Sequence, residues 1–194
     1  MNSRINTLAF CLIGFLLLTL TSCDEVFTPR PKGYFRIHLP QKEYLNYTTK
    51  CDISSDLPIY SKIEIVRTSS DSCWYNIVYP QFNAKIHCTY LPVKEDIGTM
   101  IEDAYVFAFK HESKANAIKR SELHENENNM HGMVYDLTGN VASPIQFFAT
   151  DSTNHFLRGA LYFSHAPNAD SLAPVRDFIR EDIIHMMKTI NWEP

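Results

Sequence analysis

The order of strand-like and helix-like segments is the feature that most limits the folds open to this chain. Runs rich in β-branched and aromatic residues come first, then a long helical pattern, then three more strand-like runs, and last a second helical pattern. Consecutive strands joined by short turns pair antiparallel, and amphipathic helices need a sheet face to cover. The order therefore predicts an α+β fold, with a mainly antiparallel sheet covered by two long helices.

The predicted elements follow from these patterns. The strands are expected at 34–39, 59–66, 74–79, 83–91, 131–138, 143–150 and 155–164, and the helices at 94–119 and 171–190. Alternation is clearest in 83–91, where Ala84, Ile86, Cys88 and Tyr90 share one face. The polar stretches 51–58 and 112–129 are interpreted as solvated surface. This layer order is similar to the PsbP or Mog1 type of sandwich, which is a likeness of fold and carries no function.

The first 22 residues are typical of an export signal. Arg4 precedes an apolar run from Leu8 to Leu20, and Leu20-Thr21-Ser22-Cys23 resembles the lipobox of bacterial lipoproteins, whose cysteine is acylated after cleavage. The alternative is an ordinary secretory signal or an uncleaved anchor. We predict a signal peptide at 1–22, a lipidated tether at 23–32 and a single domain at 33–194, with Cys23 attached to membrane lipid.

Export makes cysteine pairing relevant, because exported proteins meet oxidising conditions. Apart from Cys11 in the signal and Cys23, the chain has Cys51, Cys73 and Cys88, so one must stay unpaired. Cys51 and Cys73 flank the predicted strand at 59–66, which favours a disulfide between them. Three buried free thiols are the alternative.

The segment TDSTNHFLRGALYF, residues 150–163, brings Asp151, Ser152 and His155 close together. A hydrolytic triad usually draws its members from separate elements, with the nucleophile on a constrained turn such as GxSxG, which the chain lacks. Asp, Ser, Thr and Asn are also the residues that tighten turns through side-chain bonds to backbone amides. The turn interpretation is therefore favoured over the catalytic one.

Arg158 lies in the strand that follows, and both faces of that strand are largely apolar. A buried guanidinium needs a carboxylate or several carbonyls. Asp136 or Asp151 is expected to supply a structural ion pair. The alternative is that Arg158 binds a carboxylate of a partner or ligand.

Several classes of function are excluded by composition and spacing. A net charge of −4 without clustered Lys and Arg argues against nucleic acid. None of the eight histidines has HExxH spacing and the cysteines lack CxxC spacing, so neither a metal site nor a cofactor is predicted. The acidic patch of Glu122, Glu125 and Glu127 lacks EF-hand spacing and is interpreted as solvated.

Several segments together resemble a known family, the gliding-motility lipoprotein GldD of the Bacteroidota. They are the lipobox, PKGYFRIHLP (31–40), CWYNIVYP (73–80), IEDAYVFAFKH (101–111) and 142–174, which begins ASPIQFFATDSTNHFLRGALYF. The resemblance implies a membrane-anchored part of the gliding apparatus, linked to type IX secretion, without established enzymatic activity. It also implies gliding or secretion proteins as partners, including a CBS-domain membrane protein.

Two hypotheses follow for the activity. The first is a non-enzymatic accessory or scaffold lipoprotein that faces the periplasm and uses its exposed sheet face or the hairpin 150–158. The second is a periplasmic ligand-binding or hydrolytic domain with Asp151, Ser152, His155 and Arg158 at its site. Asp24 directly after Cys23 favours the inner membrane under the enterobacterial sorting rule, although Bacteroidota use different signals.

Overall fold

The computed structural model describes residues 37–51, 53–69, 72–94, 96–110, 114–125, 127 and 129–192. All of these residues belong to one unit, Phe35–Pro194. The predicted signal peptide, Cys23 and the tether lie outside the described residues, as does the first half of the predicted strand at 34–39. The second half of that strand is irregular backbone.

Ten strands and two helices make up the described part of the chain. In chain order they are β1 (Tyr44–Thr48), β2 (Ile53–Pro58), β3 (Lys62–Ser69), β4 (Ser72–Tyr79), β5 (Ala84–Pro92), α1 (Ile97–Phe109), β6 (Ala117–Glu125), β7 (Met130–Thr138), β8 (Ile145–Thr150), β9 (His155–Phe163), α2 (Ala169–Lys188) and β10 (Asn191–Trp192). A 3-10 turn at Pro80–Phe82 joins β4 to β5.

Seven of the strands form one antiparallel sheet in the order β3-β4-β5-β9-β8-β7-β6. The alternation of β5 gives the sheet two different faces. Ala84, Ile86 and Cys88 are buried on what we call the inner face, whereas His87 on the outer face is exposed. The predicted α+β class with a mainly antiparallel sheet is therefore confirmed.

Helix α2 covers the inner face. The side chain of Asn168 accepts a hydrogen bond from the Ser171 backbone at 3.2 Å and caps the first turn. The buried residues of the helix recur every three or four positions and join the main core: Val175, Phe178, Ile179, Ile183, Met186 and Met187. The predicted helix at 171–190 is confirmed, with both ends shifted by two residues.

A small three-stranded sheet, in the order β1-β2-β10, packs into the same core. Cys51 and Cys73 are joined by a disulfide, which ties the start of β2 to β4 across 5.6 Å between Cα atoms. Five of the six residues of β2 are buried. The interpretation of 51–58 as solvated surface is therefore wrong, because Ile53 and Leu57 enter the core while the intervening serines are small enough to be buried with them.

Helix α1 covers part of the outer face through Ala104 and Ala108, which pack near Tyr135, Phe148 and Phe156. The helix ends at Phe109, ten residues before the predicted end, because residues 117–125 form β6 and pair along their whole length with β7. The helix prediction is therefore wrong for these residues, whereas the solvated-surface interpretation of 112–129 holds for them, because five of the nine are exposed and none is buried. The spacing of three between Ala115 and Ile118 fits a helix, and the strand forms because the long-range pairing with β7 overrides that local pattern.

Candidate functional site

The turn between β8 and β9 is organised by Asp151. Its Oδ1 accepts hydrogen bonds from the backbone N–H groups of Thr153 at 3.0 Å, Asn154 at 2.8 Å and His155 at 2.8 Å, and its Oδ2 accepts one from the Thr153 hydroxyl at 3.0 Å. Burial by itself raises the pKa of this carboxyl, but the hydrogen bonds prevail and hold the pKa below its ordinary value. Asp151 therefore has a structural contact for each of its oxygens.

Ser152 and His155 do not complete a triad with Asp151. The aspartate contacts the backbone of His155 rather than its ring, and His155 Nδ1 lies 2.8 Å from the Tyr90 hydroxyl. Ser152 is exposed, with a left-handed φ of 66°, and none of the described hydrogen bonds joins it to His155. A hydrolytic relay needs the acid on the imidazole ring and the ring on the hydroxyl. This arrangement has the geometry of a turn.

Arg158 lies on the outer face of β9, half-buried, opposite Thr89 of β5 and Phe148 of β8. The predicted pairing with Asp136 or Asp151 is wrong. Asp136 lies on the inner face and receives two hydrogen bonds from Arg180 of α2, at 2.7 and 2.8 Å. Asp151 is occupied by its own turn. Among the described residues, no carboxylate lies within 4.0 Å of the Arg158 guanidinium.

An open groove of about 450 Å³ surrounds Arg158, and we call it the Arg158 groove. Strands β4, β5 and β9 form its floor, and α1 forms one wall. Most of its lining is apolar or aromatic, and the whole lining comprises Ser72, Trp74, Thr89, Leu91, Met100, Asp103, Phe107, Phe156 and Arg158. Apolar walls with a few polar groups are typical of binding sites.

The guanidinium carbon of Arg158 lies 4.1 Å from the centre of the Phe107 ring, a cation–π contact. Lys110 Nζ also lies over this ring, 4.3 Å from its centre. Phe107 is 40% exposed and Trp74 is 44% exposed, so both side chains contribute aromatic surface to the groove. Burial lowers the pKa of Arg158, and the negative charge of Asp103 partly offsets this. A guanidinium has planar donors that match a carboxylate or phosphate. The groove is therefore suited to an anionic group that has an apolar neighbour.

The sequence model of the family described as gliding motility lipoprotein GldD matches residues 24–192 of the 194-residue chain. The chain belongs to this family. The resemblance seen in the separate segments is therefore confirmed, and membership of a lipoprotein family implies a membrane-anchored protein. No curated protein matches the chain significantly. Neither helix in the described part of this GldD-family chain has both the length and the apolar character that a membrane span requires.

A second polar cluster in this GldD-family chain holds the N-terminal segment against α2. Asp182, 1% exposed, accepts hydrogen bonds from Lys42 Nζ at 2.7 Å, Tyr44 Oη at 2.9 Å and Tyr60 Oη at 3.0 Å. Burial, followed by the hydrogen bond and charge of Asp182, raises the pKa of Tyr44, and burial with the same carboxylate raises that of Tyr60. The tyrosines therefore stay neutral donors, and the cluster is structural.

Cys88 and the metal-binding residue types of this GldD-family chain form no further reactive site among the described residues. Cys88 is a buried free thiol whose pKa burial raises to about 12, so it is a poor nucleophile at neutral pH. In the described ranges, His, Cys, Asp and Glu form no group of three or more that could hold a metal ion.

Sequence reasoning found Arg158 but missed the other groove residues. Trp74 occupies an outward position in the alternation of β4, which was the available signal. Phe107 fits the apolar stripe of a helix that covers a sheet, and this stripe gave no sign that α1 would leave the ring exposed beside β4 and β9.

Proposed function

We propose that this GldD-family chain is a non-enzymatic accessory or scaffold lipoprotein of the gliding machinery, linked to type IX secretion. The acylated Cys23 would anchor it and leave the domain in the periplasm, and Asp24 slightly favours the inner membrane. Its partners would be other gliding or secretion proteins, including a CBS-domain membrane protein. These finer statements rest on the family resemblance.

The Arg158 groove is the observation that supports a role in binding. It combines two exposed aromatic rings with a half-buried cation that has no carboxylate within ion-pair distance among the described residues. Exposed aromatic and arginine side chains contribute strongly at protein interfaces, because they bury a large area and pair with charges on the partner. The groove therefore offers a partner an anchor for an acidic and an apolar side chain.

The test is an Arg158→Gln replacement in the native host, with Arg120→Gln as the matched control. Arg120 is an exposed arginine on β6, far along the sheet from the groove. We expect Arg158→Gln to reduce colony spreading and type IX secretion at least fivefold at unchanged protein level, and to weaken crosslinking to partners, while Arg120→Gln leaves all three intact. Wild-type spreading, secretion and crosslinking in Arg158→Gln cells would refute the role of the groove.

The alternative is a ligand-binding or hydrolytic site at Asp151, Ser152, His155 and Arg158. It predicts that Ser152→Ala abolishes spreading, whereas a scaffold should tolerate this change because the Ser152 side chain is exposed in a turn. His155→Ala is a less specific test, since the ring also contacts Tyr90 and stacks on Trp192.

A further inference from the structure

A second groove, of about 540 Å³, opens between the edge of the small sheet and the edge of the large one. Three apolar side chains stand out in it: Leu45 is 67% exposed, Ile59 52% and Tyr47 45%. We call this surface the β1 groove. Its complete lining is Leu45, Asn46, Tyr47, Leu57, Pro58, Ile59, Ser61, Lys62 and Ile63.

The strand register explains why these side chains are uncovered. Leu45 of β1 lies opposite Leu57 of β2, and Leu57 is buried in the main core. Leu45 and Tyr47 continue this apolar face beyond the core, on a strand whose only sheet partner among the described strands is β2. Single exposed apolar residues are ordinary, but several around one groove mark a contact surface.

The place of the groove in the chain indicates what it contacts. The chain belongs to a lipoprotein family, and the lipid is predicted at Cys23. Residues 24–36 connect that position to Ile37 and can span at most about 45 Å at roughly 3.3 Å per residue. β1 is the first strand of the described domain, so its groove is close along the chain to the anchor. Tethering raises the local concentration of lipid, so that even a weak contact forms.

The chemistry of the groove also matches a bilayer interface. Aliphatic tips enter the boundary between headgroups and acyl chains, whereas tyrosine and lysine prefer the headgroup level. Leu45 and Ile59 supply the first type of group, and Tyr47 and Lys62 supply the second.

We propose that the β1 groove rests on the lipid surface and orients the anchored domain. The small sheet packs on the inner side of the large sheet, whereas the Arg158 groove opens on the outer side. Contact through the β1 groove therefore leaves the Arg158 groove accessible. The lipid contact depends on the anchor and not on the identity of any partner.

The test uses the full acylated protein, purified from membranes and reconstituted in vesicles of phosphatidylethanolamine and phosphatidylglycerol with a nitroxide-labelled lipid. A fluorophore is attached at Leu45→Cys, Ile59→Cys or Val106→Cys. Val106 is the matched control, because it is an exposed apolar residue on α1 (42% exposed). The native cysteines of the domain should not react, since Cys51 and Cys73 are bonded and Cys88 is buried.

We expect the nitroxide lipid to quench the labels at positions 45 and 59 at least threefold more than the label at position 106. With the label at position 59, a Tyr47→Ser change should reduce this quenching. Equal quenching at all three positions would overturn the proposal. A second copy of the chain covering the groove would also overturn the proposal. In that case, shielding of the labels at positions 45 and 59 from the nitroxide lipid would rise with protein density in the vesicles, and crosslinks would form between copies.

Discussion

Replacing Asp182 with alanine should lower the free energy of unfolding by about 3 kcal/mol. Removing one partner of a buried ion pair costs about 3–5 kcal/mol, and loss of the acceptor for Tyr44 and Tyr60 adds to this. Lys42 offsets part of the cost, because its side chain is 24% exposed and it also donates to the Phe178 carbonyl at 2.6 Å. The lower end of the range is therefore expected, which corresponds to a fall in Tm of roughly 6–12 °C for a domain of this size.

Urea unfolding followed by tryptophan fluorescence measures this loss directly. The matched control is Asp177→Ala on the same helix, where the carboxylate is 59% exposed and pairs with Arg176. An exposed pair of this kind contributes about 0.5 kcal/mol or less. A loss below about 1 kcal/mol for Asp182→Ala, or an equal loss for the two variants, would refute the conclusion that the Asp182 cluster holds the N-terminal segment in place.

Three further predictions concern stability. Reducing the Cys51–Cys73 disulfide, with a separation of 22 residues, should cost about 3 kcal/mol through the restored freedom of the unfolded chain; urea unfolding with and without reductant measures it, and an unchanged midpoint would contradict it. Gly159→Ala should cost about 1–3 kcal/mol, because an added Cβ would overlap the Phe147 ring; a melting temperature equal to wild type would show that the ring can move. Burial, with the nearby carboxylate, raises the pKa of Tyr60 in the folded state. The stability that the Tyr60 hydroxyl contributes is therefore fully present below its unfolded-state pKa near 10, and it is lost as the pH rises above that value. The free energy of unfolding should therefore fall less steeply with rising alkaline pH for Tyr60→Phe than for wild type. Equal slopes would exclude Tyr60 as a source of the pH dependence.

The sequence predicted most elements whose burial follows a simple period. Strand β5 alternates cleanly, and α2 repeats its apolar residues every three or four positions, so each pattern had one interpretation. The predictions failed for segments with mixed patterns. Strand β6 has no fully buried residue and exists because β7 pairs with it, whereas β2 is polar in sequence but buried by its position between sheet and helix.

The prediction for Arg158 was likewise correct in one part and wrong in another. Its sequence context, a charge in an apolar strand, was enough to predict that the residue is unusual. The partner was predicted wrongly because a strand has two faces, and Asp136 lies on the one opposite to Arg158. Which residues surround the guanidinium depends on where α1 crosses the sheet.

By itself, the sequence determined the fold class, most of the strands and helices and the family, and it predicts the export signal, because each of these is encoded in residues close together along the chain. Only the tertiary structure decided the Arg158 groove, the Asp182 cluster and the β1 groove. Each of these brings together residues far apart in the chain, such as Lys42 and Asp182 or Trp74 and Arg158. No local period records such contacts, since they form only when strands pair and helices pack.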